Sequence, residues 1–426
     1  ARFWKRARAA KASRKGEQRR MNASLIHEQI AMPADIKRAN RQKIIRALRS
    51  GQMVTAADIH EQTGISRPTV MRALQEYCDR GIVKSLGLGS TTSVGGKKPE
   101  LFQFADERKI LAIDLWPGET TLALSGLIGD TLWMESLKQP LDNDLGGAFS
   151  SLRTAAEACL TRHGVSDREL YGVALTVPGT VDYDARLLRY NSQAPGWGKD
   201  VALEAYLRPI FGEETEYFVD NAGKAAGRAE LLDRPEYADR RMLTLFTTWG
   251  VSACMLERAH VLNGRDSLIG EIGHMLIADD GPVLCGCGKR GCLESLVSMA
   301  QVRARLEKAG RPDLGLPAPL TFPQLFEASR QGDTLARETV EYLAHCFAVA
   351  LHNLSLAYNQ EMVVFQGDFA WADEAFDRRL KAELQEFRYY PQQACFAIAY
   401  DRRSLPQLAA RGATEQLRRR YFTSLD

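Results

Sequence analysis

Four side chains able to hold a soft divalent metal crowd into one stretch of this chain: His274, then Cys285, Cys287 and Cys292. One imidazole and three thiolates complete a tetrahedral zinc set and leave no position for a catalytic water, so the expected role is structural, with one Zn2+ per chain. The Cys-x-Cys-x4-Cys spacing requires a tight loop, and Gly286, Gly288 and Gly291 allow its backbone bends. Structural zinc supplies on the order of 10 kcal/mol in small peptide sites. Here it would pin the loop that bears Glu271 and Glu294. The alternative is three buried free thiols beside an unrelated histidine. The other five cysteines, Cys78, Cys159, Cys254, Cys346 and Cys395, are scattered. That pattern is unlike a secreted disulfide framework and fits a reducing cytoplasm.

A second constellation lies near the start. Asn40–Leu48 puts Ile44, Ile45 and Leu48 on one helical face. Thr55 can cap a second helix whose Ala56 and Ile59 face inward. Gly64 makes a turn, Ser66 can cap a third helix, and Pro68 falls in its first turn, where proline is tolerated. With Val70 and Leu74 turned to the core, Arg67, Thr69 and Arg72 point outward near the helix start. The N-terminal part of a recognition helix meets base edges in helix-turn-helix proteins. Arginine can pair bidentately with guanine, and threonine can touch a thymine methyl group. Residues 83–104 read as a hairpin with a glycine-rich tip, a wing whose Lys97 and Lys98 can touch phosphate. The competing reading is a three-helix bundle that docks another protein, its charges merely solvated.

The elements that must position these groups form two kinds of segment. Residues 1–34 read as a flexible basic tail, 35–105 as a winged helix-turn-helix, and 106–426 as an α/β body with the zinc loop at 274–294. Met21 could be the natural start, with residues 1–20 an extension. From Lys109 short buried-strand patterns begin, at 109–115, 120–125 and 131–136, and helices alternate with strands thereafter. Long helical patterns cover about 144–163, 333–358 and 404–420. Strand-rich openings near 109 and 241 could begin two related halves. Charge follows the same division. Residues 1–100 hold 21 Lys and Arg against 8 Asp and Glu, and the remainder 35 against 45. That polarity suits a front half that meets a polyanion. Hydrophobic content of 45% and charged content of 26% describe ordinary globular material with two or three domains. No apolar run reaches about 18 residues, so no membrane span is expected.

Gly270-Glu271-Ile272-Gly273-His274 followed by Cys285-Gly-Cys287-Gly-Lys-Arg-Gly-Cys292-Leu-Glu294 resembles the motif of the ROK family, whose name joins repressors, open reading frames and kinases. Val173–Asp182 resembles the family's hinge motif, and Pro195-Gly196-Trp197 its sugar-loop motif. With the winged helix in front, the likeness spans roughly residues 35–420 and is to the repressor branch, of the N-acetylglucosamine and xylose repressor type. It implies a two-lobed, actin-like sugar-kinase body with a cleft, assembled as a homodimer or homotetramer. It also implies that Glu271, His274 and Glu294 hold sugar hydroxyls. Carboxylates and an imidazole suit vicinal hydroxyls, although each acid could instead support a zinc ligand or cap backbone.

The departures from the family's kinases concern catalysis. Those kinases carry Asn-Asp-Ala-Asn, with the Asp as general base. Here Val219-Asp220-Asn221-Ala222-Gly223 puts Asn221 at that position, an amide that cannot take the proton, with Asp220 one residue away. The first phosphate loop, Asp-x-Gly-Gly-Thr in the kinases, is Asp114-Leu115-Trp116-Pro117-Gly118. The second, normally glycine-dense, is Thr247-Thr248-Trp249-Gly250-Val251. The sugar-loop Asn aligns with Gln193, and Asn191 lies two residues earlier. Phosphoryl transfer is mostly placement and charge neutralisation, and losing a general base costs about 10²–10⁴-fold. The expectation is therefore no catalytic residues. The chain would regulate carbohydrate metabolism genes, most simply as a repressor that binds a double-stranded DNA operator. A sugar or sugar-phosphate effector would be held by Asn191, Gln193, Asp220, Asn221, Glu271, His274 and Glu294. The alternatives are a regulator governed by a protein partner with an inert cleft, and, further off, a working sugar kinase.

Overall fold

The structure is a computed structural model that describes residues 33–89, 98–129, 131–138, 141–191, 193–248, 250–390, 393 and 395–425. The expected tail lies outside the described residues as far as position 32, as do the wing tip with Lys97, and Trp249. Among the described residues the chain forms two compact units, 33–106 together with 421–425, and 107–420.

The first unit runs α1 (Pro33–Leu48), β1 (Val54–Thr55), α2 (Ala56–Thr63), α3 (Arg67–Asp79), β2 (Val83–Leu88) and β3 (Glu100–Phe104). Its strands form one sheet in the order β1-β3-β2. Helix α1 starts with proline at its first position, where no intrahelical N–H is needed. Ile44, Leu48, Ile59, Val70, Leu74 and Tyr77 form the core, each with no exposed surface. Thr55 closes a capping box with Asp58: its hydroxyl accepts from the Asp58 N–H, and its own N–H donates to the Asp58 carboxylate. Gly64 ends α2 at φ 72°, the left-handed turn that glycine adopts most readily. The Ser66 cap is not formed. Its hydroxyl meets the Thr69 hydroxyl at 2.9 Å and leaves the backbone uncapped. The chain's last residues complete this unit, which the expected division at residue 106 had given to the body. The reason is apolar burial: Tyr421 and Phe422 pack against Phe104, the Tyr421 hydroxyl donates to Asp106, and Arg80 donates to the Leu425 carbonyl.

The second unit runs β4 (Lys109–Trp116), β5 (Glu119–Gly126), β6 (Thr131–Leu137), α4 (Leu145–Arg162), β7 (Leu170–Val177), β8 (Thr180–Asp182), β9 (Leu187–Tyr190), α5 (Glu204–Phe211), β10 (Glu216–Asn221) and α6 (Ala222–Asp233). It continues with β11 (Arg241–Thr247), β12 (Val251–Glu257), β13 (His260–Val261), α7 (Leu293–Leu296), α8 (Met299–Lys308), α9 (Phe322–Arg330), α10 (Thr334–Ala357), β14 (Met362–Gly367), α11 (Glu374–Glu386), β15 (Ala397–Asp401) and α12 (Leu405–Ser424), the last helix ending in the first unit.

Two five-stranded sheets, β10-β7-β4-β5-β6 and β13-β12-β11-β14-β15, share one plan. In each, three strands run as an antiparallel meander, and two later strands add in parallel on the far side of the first. The paired openings near 109 and 241 thus begin two lobes of equal topology. Helix α6 packs against strands of both sheets, and its small residues make that possible. A Cβ at Gly227 would strike Cys254 and Thr244, and one at Gly412 of α12 would strike the Ala225 carbonyl. Charged groups brace the same helix: Arg403 and Arg411 both reach Asp233, and Gln366 donates to buried Glu230. No helix among the described residues is long and apolar enough to cross a membrane.

Asp114 on β4 is buried, with a 2.6 Å hydrogen bond from Thr176, and burial pushes its carboxyl up to about 7. The unfolded group titrates near 3.8. The folded state therefore holds the extra proton between these values, and this group's contribution to stability falls as pH rises through that window. Asp114→Asn removes the titration. We expect the variant to gain at least about 2–4 °C in melting temperature over wild type at pH 8, with the gain shrinking as pH falls from 7 toward 3.8. A pH-independent difference in melting scans would refute this assignment.

Candidate functional site

The metal candidates come together. One ligand atom from each of His274, Cys285, Cys287 and Cys292 lies within 4.8 Å of all the others. Cys287 Sγ and Cys292 Sγ are 3.6 Å apart, and Cys285 Sγ lies 3.4 Å from His274 Nδ1. Tetrahedral zinc with bonds of about 2.3 Å to sulfur sets its ligands about 3.8 Å apart, so the four residues fit that ion. His274 reaches the thiols through Nδ1 and also lines the cleft. Nε2 is then the nitrogen left for a ligand, which accommodates both roles expected of this residue.

The loop can sit here only because three of its residues lack a Cβ. At Gly270 a Cβ would strike the Ala253 carbonyl oxygen, at Gly273 that of Val251, and at Gly291 that of Ala278. The close approach to β12 delivers two acids. Glu294 accepts from the Val251 N–H at 3.1 Å, and Glu271 accepts from the Thr180 hydroxyl at 3.2 Å. Thr180 starts β8 in the other lobe, so Glu271 joins the two walls of the cleft.

A cavity of about 430 Å³ opens between those walls. Of the residues expected to hold sugar, Gln193, Asn221, Glu271, His274 and Glu294 line it, together with Thr180, Tyr190 and Ser252. Asn191 and Asp220 do not. Asn191 is fully buried and accepts from the Gln193 N–H, bracing the turn that presents Gln193. Asp220 is buried behind the wall, accepts from the Asn221 N–H and is ion-paired with Arg228. Asn221 is held at both ends: its Oδ1 caps α6 by accepting from the Lys224 N–H, and its Nδ2 donates one N–H to the Gly179 carbonyl at 2.7 Å, which leaves a second N–H for the cavity. A second chamber of about 550 Å³ adjoins the first, and both are lined by Trp116, Thr248, Gly250, Val251 and Glu294. Sequence reasoning missed Tyr190 and Asp368 as lining residues. Neither stands in a motif, and each reaches the cleft from the end of a strand or the turn after one.

The segment that resemblance sets at the first phosphate loop is a tight turn. Trp116-Pro117-Gly118-Glu119 is a two-residue hairpin with Gly118 at φ 86°. Its Pro117 lacks an N–H, so this turn offers one donor fewer to an anion. The Trp116 ring packs edge-on against Phe246, 5.6 Å between centroids.

In the first unit, Arg67, Thr69 and Arg72 are exposed along the start of α3, and Lys98 is exposed beside β3. Glu76, one turn further along α3, is bound to Arg41 of α1, which fixes the recognition helix against its neighbour. That contact holds the Glu76 carboxyl below its usual range.

Comparison with known proteins gives this arrangement a family. The ROK family profile matches residues 112–419, and a winged helix-turn-helix DNA-binding profile matches 37–84. The chain belongs to the ROK family and carries a winged helix-turn-helix at its front. A glucokinase of Halalkalibacterium halodurans is 28% identical over 297 residues, 67% of this chain and 86% of that protein. A xylose repressor of Caldicellulosiruptor bescii is 22% identical over 367 residues, 84% of this chain and 90% of the repressor. Among solved structures, a ROK family transcriptional regulator, homolog of the E. coli MLC protein, superposes with a TM-score of 0.74 at 20% identity, over 92% of this chain and 98% of that one.

Cys287→Ser should lower zinc from one ion per purified chain and reduce the melting temperature. Unchanged metal content by atomic emission would remove Cys287 from the ligand set.

Proposed function

We propose that this protein represses genes of carbohydrate metabolism, and that its kinase-like cleft senses a sugar without phosphorylating it. The observation that carries this is the engagement of Asn221. At the position of the kinase base stands an amide whose two ends cap α6 and bind the Gly179 carbonyl. The neighbouring Asp220 is paired with Arg228 and turned from the cavity. To take a substrate proton it would have to leave a buried guanidinium, a costly separation.

Sugar recognition is assigned to Gln193, Asn221, Glu271, His274 and Glu294. Zinc at His274, Cys285, Cys287 and Cys292 would act as a structural clamp, holding the loop that presents Glu271 and Glu294; every other contact named is the chain's own. Because Thr180 of one lobe donates to Glu271 of the other, a ligand that binds Glu271 shifts the balance between lobe arrangements. Such a ligand switches the protein to the extent that it prefers one arrangement. At the front, Arg67, Thr69 and Arg72 read base edges and Lys98 contacts phosphate, with two heads of a homodimer matched to a palindromic operator.

Arg67→Ala should weaken operator binding about tenfold or more, and should relax base preference at one position, consistent with about 1–3 kcal/mol for a bidentate arginine–guanine pair. Equal loss on random duplex in gel-shift titrations would reduce Arg67 to a phosphate contact. Incubation of the zinc form with ATP and a hexose panel should yield no sugar phosphate. Turnover at about 1 s⁻¹ or faster, the ordinary range for kinases, would overturn the reading of Asn221.

A further inference from the structure

The second chamber has a composition that its position does not explain. The two loops that resemblance assigns to phosphate, at Trp116 and at Thr247–Val251, both line it, yet the chamber is poorly suited to a polyphosphate. Its charged lining residues among those described are Glu294, Asp368 and Arg303, and the arginine is exposed at the rim. The first chamber has Glu271 and Glu294 and, among the described residues, neither lysine nor arginine. A phosphorylated ligand would therefore meet two carboxylates in either chamber, with nothing to neutralise it at close range except one solvated guanidinium. Like charges in a partly buried site repel strongly.

Asp368 gives the positive half of the case. It stands just after β14, half-buried, and no described side chain or backbone N–H donates to its carboxylate. Around the chamber are Trp116, Phe322, Phe369, Val297 and Met299. Burial among them pushes the carboxyl up to about 6. A partly buried carboxylate with no donor in the described residues is a ready acceptor for a ligand's hydroxyls. An aromatic surface opposite an acceptor-only group suits a neutral ring with one apolar face and a hydroxyl-bearing edge. The shared wall of Trp116, Thr248, Gly250, Val251 and Glu294 makes the two chambers one continuous trough. Each chamber falls within the size range of small-ligand sites, roughly 300–1,000 Å³.

We propose that the effector is an uncharged carbohydrate of two linked rings: one ring is held by Glu271, His274 and Glu294, and the second lies on Trp116 with its hydroxyls donated to Asp368. This rests on the reading of the cleft as a sugar sensor and narrows it to a ligand class. The chamber that would have held nucleotide in a kinase has become the second half of a glycoside site.

The test uses the full-length zinc-loaded chain in isothermal titration. Glucose, N-acetylglucosamine and xylose, their 6- or 1-phosphates, the disaccharides maltose, cellobiose, sucrose, chitobiose and xylobiose, and ADP serve as probes. At least one disaccharide should bind at least tenfold more tightly than its component monosaccharide and its phosphate. Asp368→Asn should abolish that advantage while changing the weaker monosaccharide affinity less than twofold, whereas Glu271→Gln should weaken both. Melting curves will show that the near-isosteric Asp368→Asn chain is folded. A monosaccharide that binds as tightly as every disaccharide, with Asp368→Asn silent, overturns the two-ring proposal and leaves the sugar sensor standing. A sugar phosphate or ADP as the tightest ligand also overturns it. If no carbohydrate in the panel binds, the sensor reading falls along with it.

Discussion

The cleft depends on one close approach of backbone to backbone. Strand β12 and the Gly270–His274 segment lie so near each other that a Cβ at Gly270 or Gly273 would strike a β12 carbonyl oxygen. That approach puts the Val251 N–H against Glu294 and leaves Glu271 to meet Thr180 across the cleft. His274, Cys285, Cys287 and Cys292 come together in the same loop, placed to hold one metal ion. A loop this rich in glycine loses much conformational entropy when ordered. Metal ligation is the kind of strong local term that can offset the loss. The acids at 271 and 294 are thus as well placed as the glycines and thiols allow.

Helix α6 carries the consequences away from the cavity. It starts at Asn221, inside the cavity wall, and packs through small residues against strands of both lobes. Gly412 of α12 lies against its Ala225 carbonyl, and Arg403 and Arg411 hold its far end at Asp233. The last turn of α12 in turn supplies Tyr421 and Phe422 to the apolar core of the winged helix. Helix α12 is thus shared by the two units.

The changes at the catalytic positions belong together. Set against the kinases that the motifs resemble, an amide, Asn221, stands at the base position, Pro117 lacks a backbone donor in the first loop, and Asp368 lines the chamber beyond. Phosphoryl transfer depends on charge neutralisation and alignment. All three differences fit the proposed sensor, within a fold of two lobes on one plan.

Much of this was legible in the residues. Cys285, Cys287, Cys292 and His274 pointed to a group able to hold a metal, and the fold brings their ligand atoms within 4.8 Å of one another. The turn at Gly64 and the capping threonine Thr55 marked the winged helix-turn-helix because caps and turns are local chemistry, and Arg67, Thr69 and Arg72 lie exposed as expected. The helical patterns near 144–163, 333–358 and 404–420 matched observed helices because apolar periodicity reports burial directly. What sequence could not decide was which polar groups share a wall. Asp220 and Asn191 stood beside sugar-loop and catalytic motifs, yet the alternation of side chains along β10 turns Asp220 behind the wall to Arg228, and the turn after β9 buries Asn191. Tyr190 and Thr180, paired across the β8–β9 hairpin, and Asp368, far along the chain from both, reach the cleft from strand ends and a turn, and the last residues of α12 join the opposite end of the sequence. Short-range rules fix caps, turns and ligand spacing; the meeting of distant strand ends is set by how two sheets twist and close on one helix, which only the folded chain specifies.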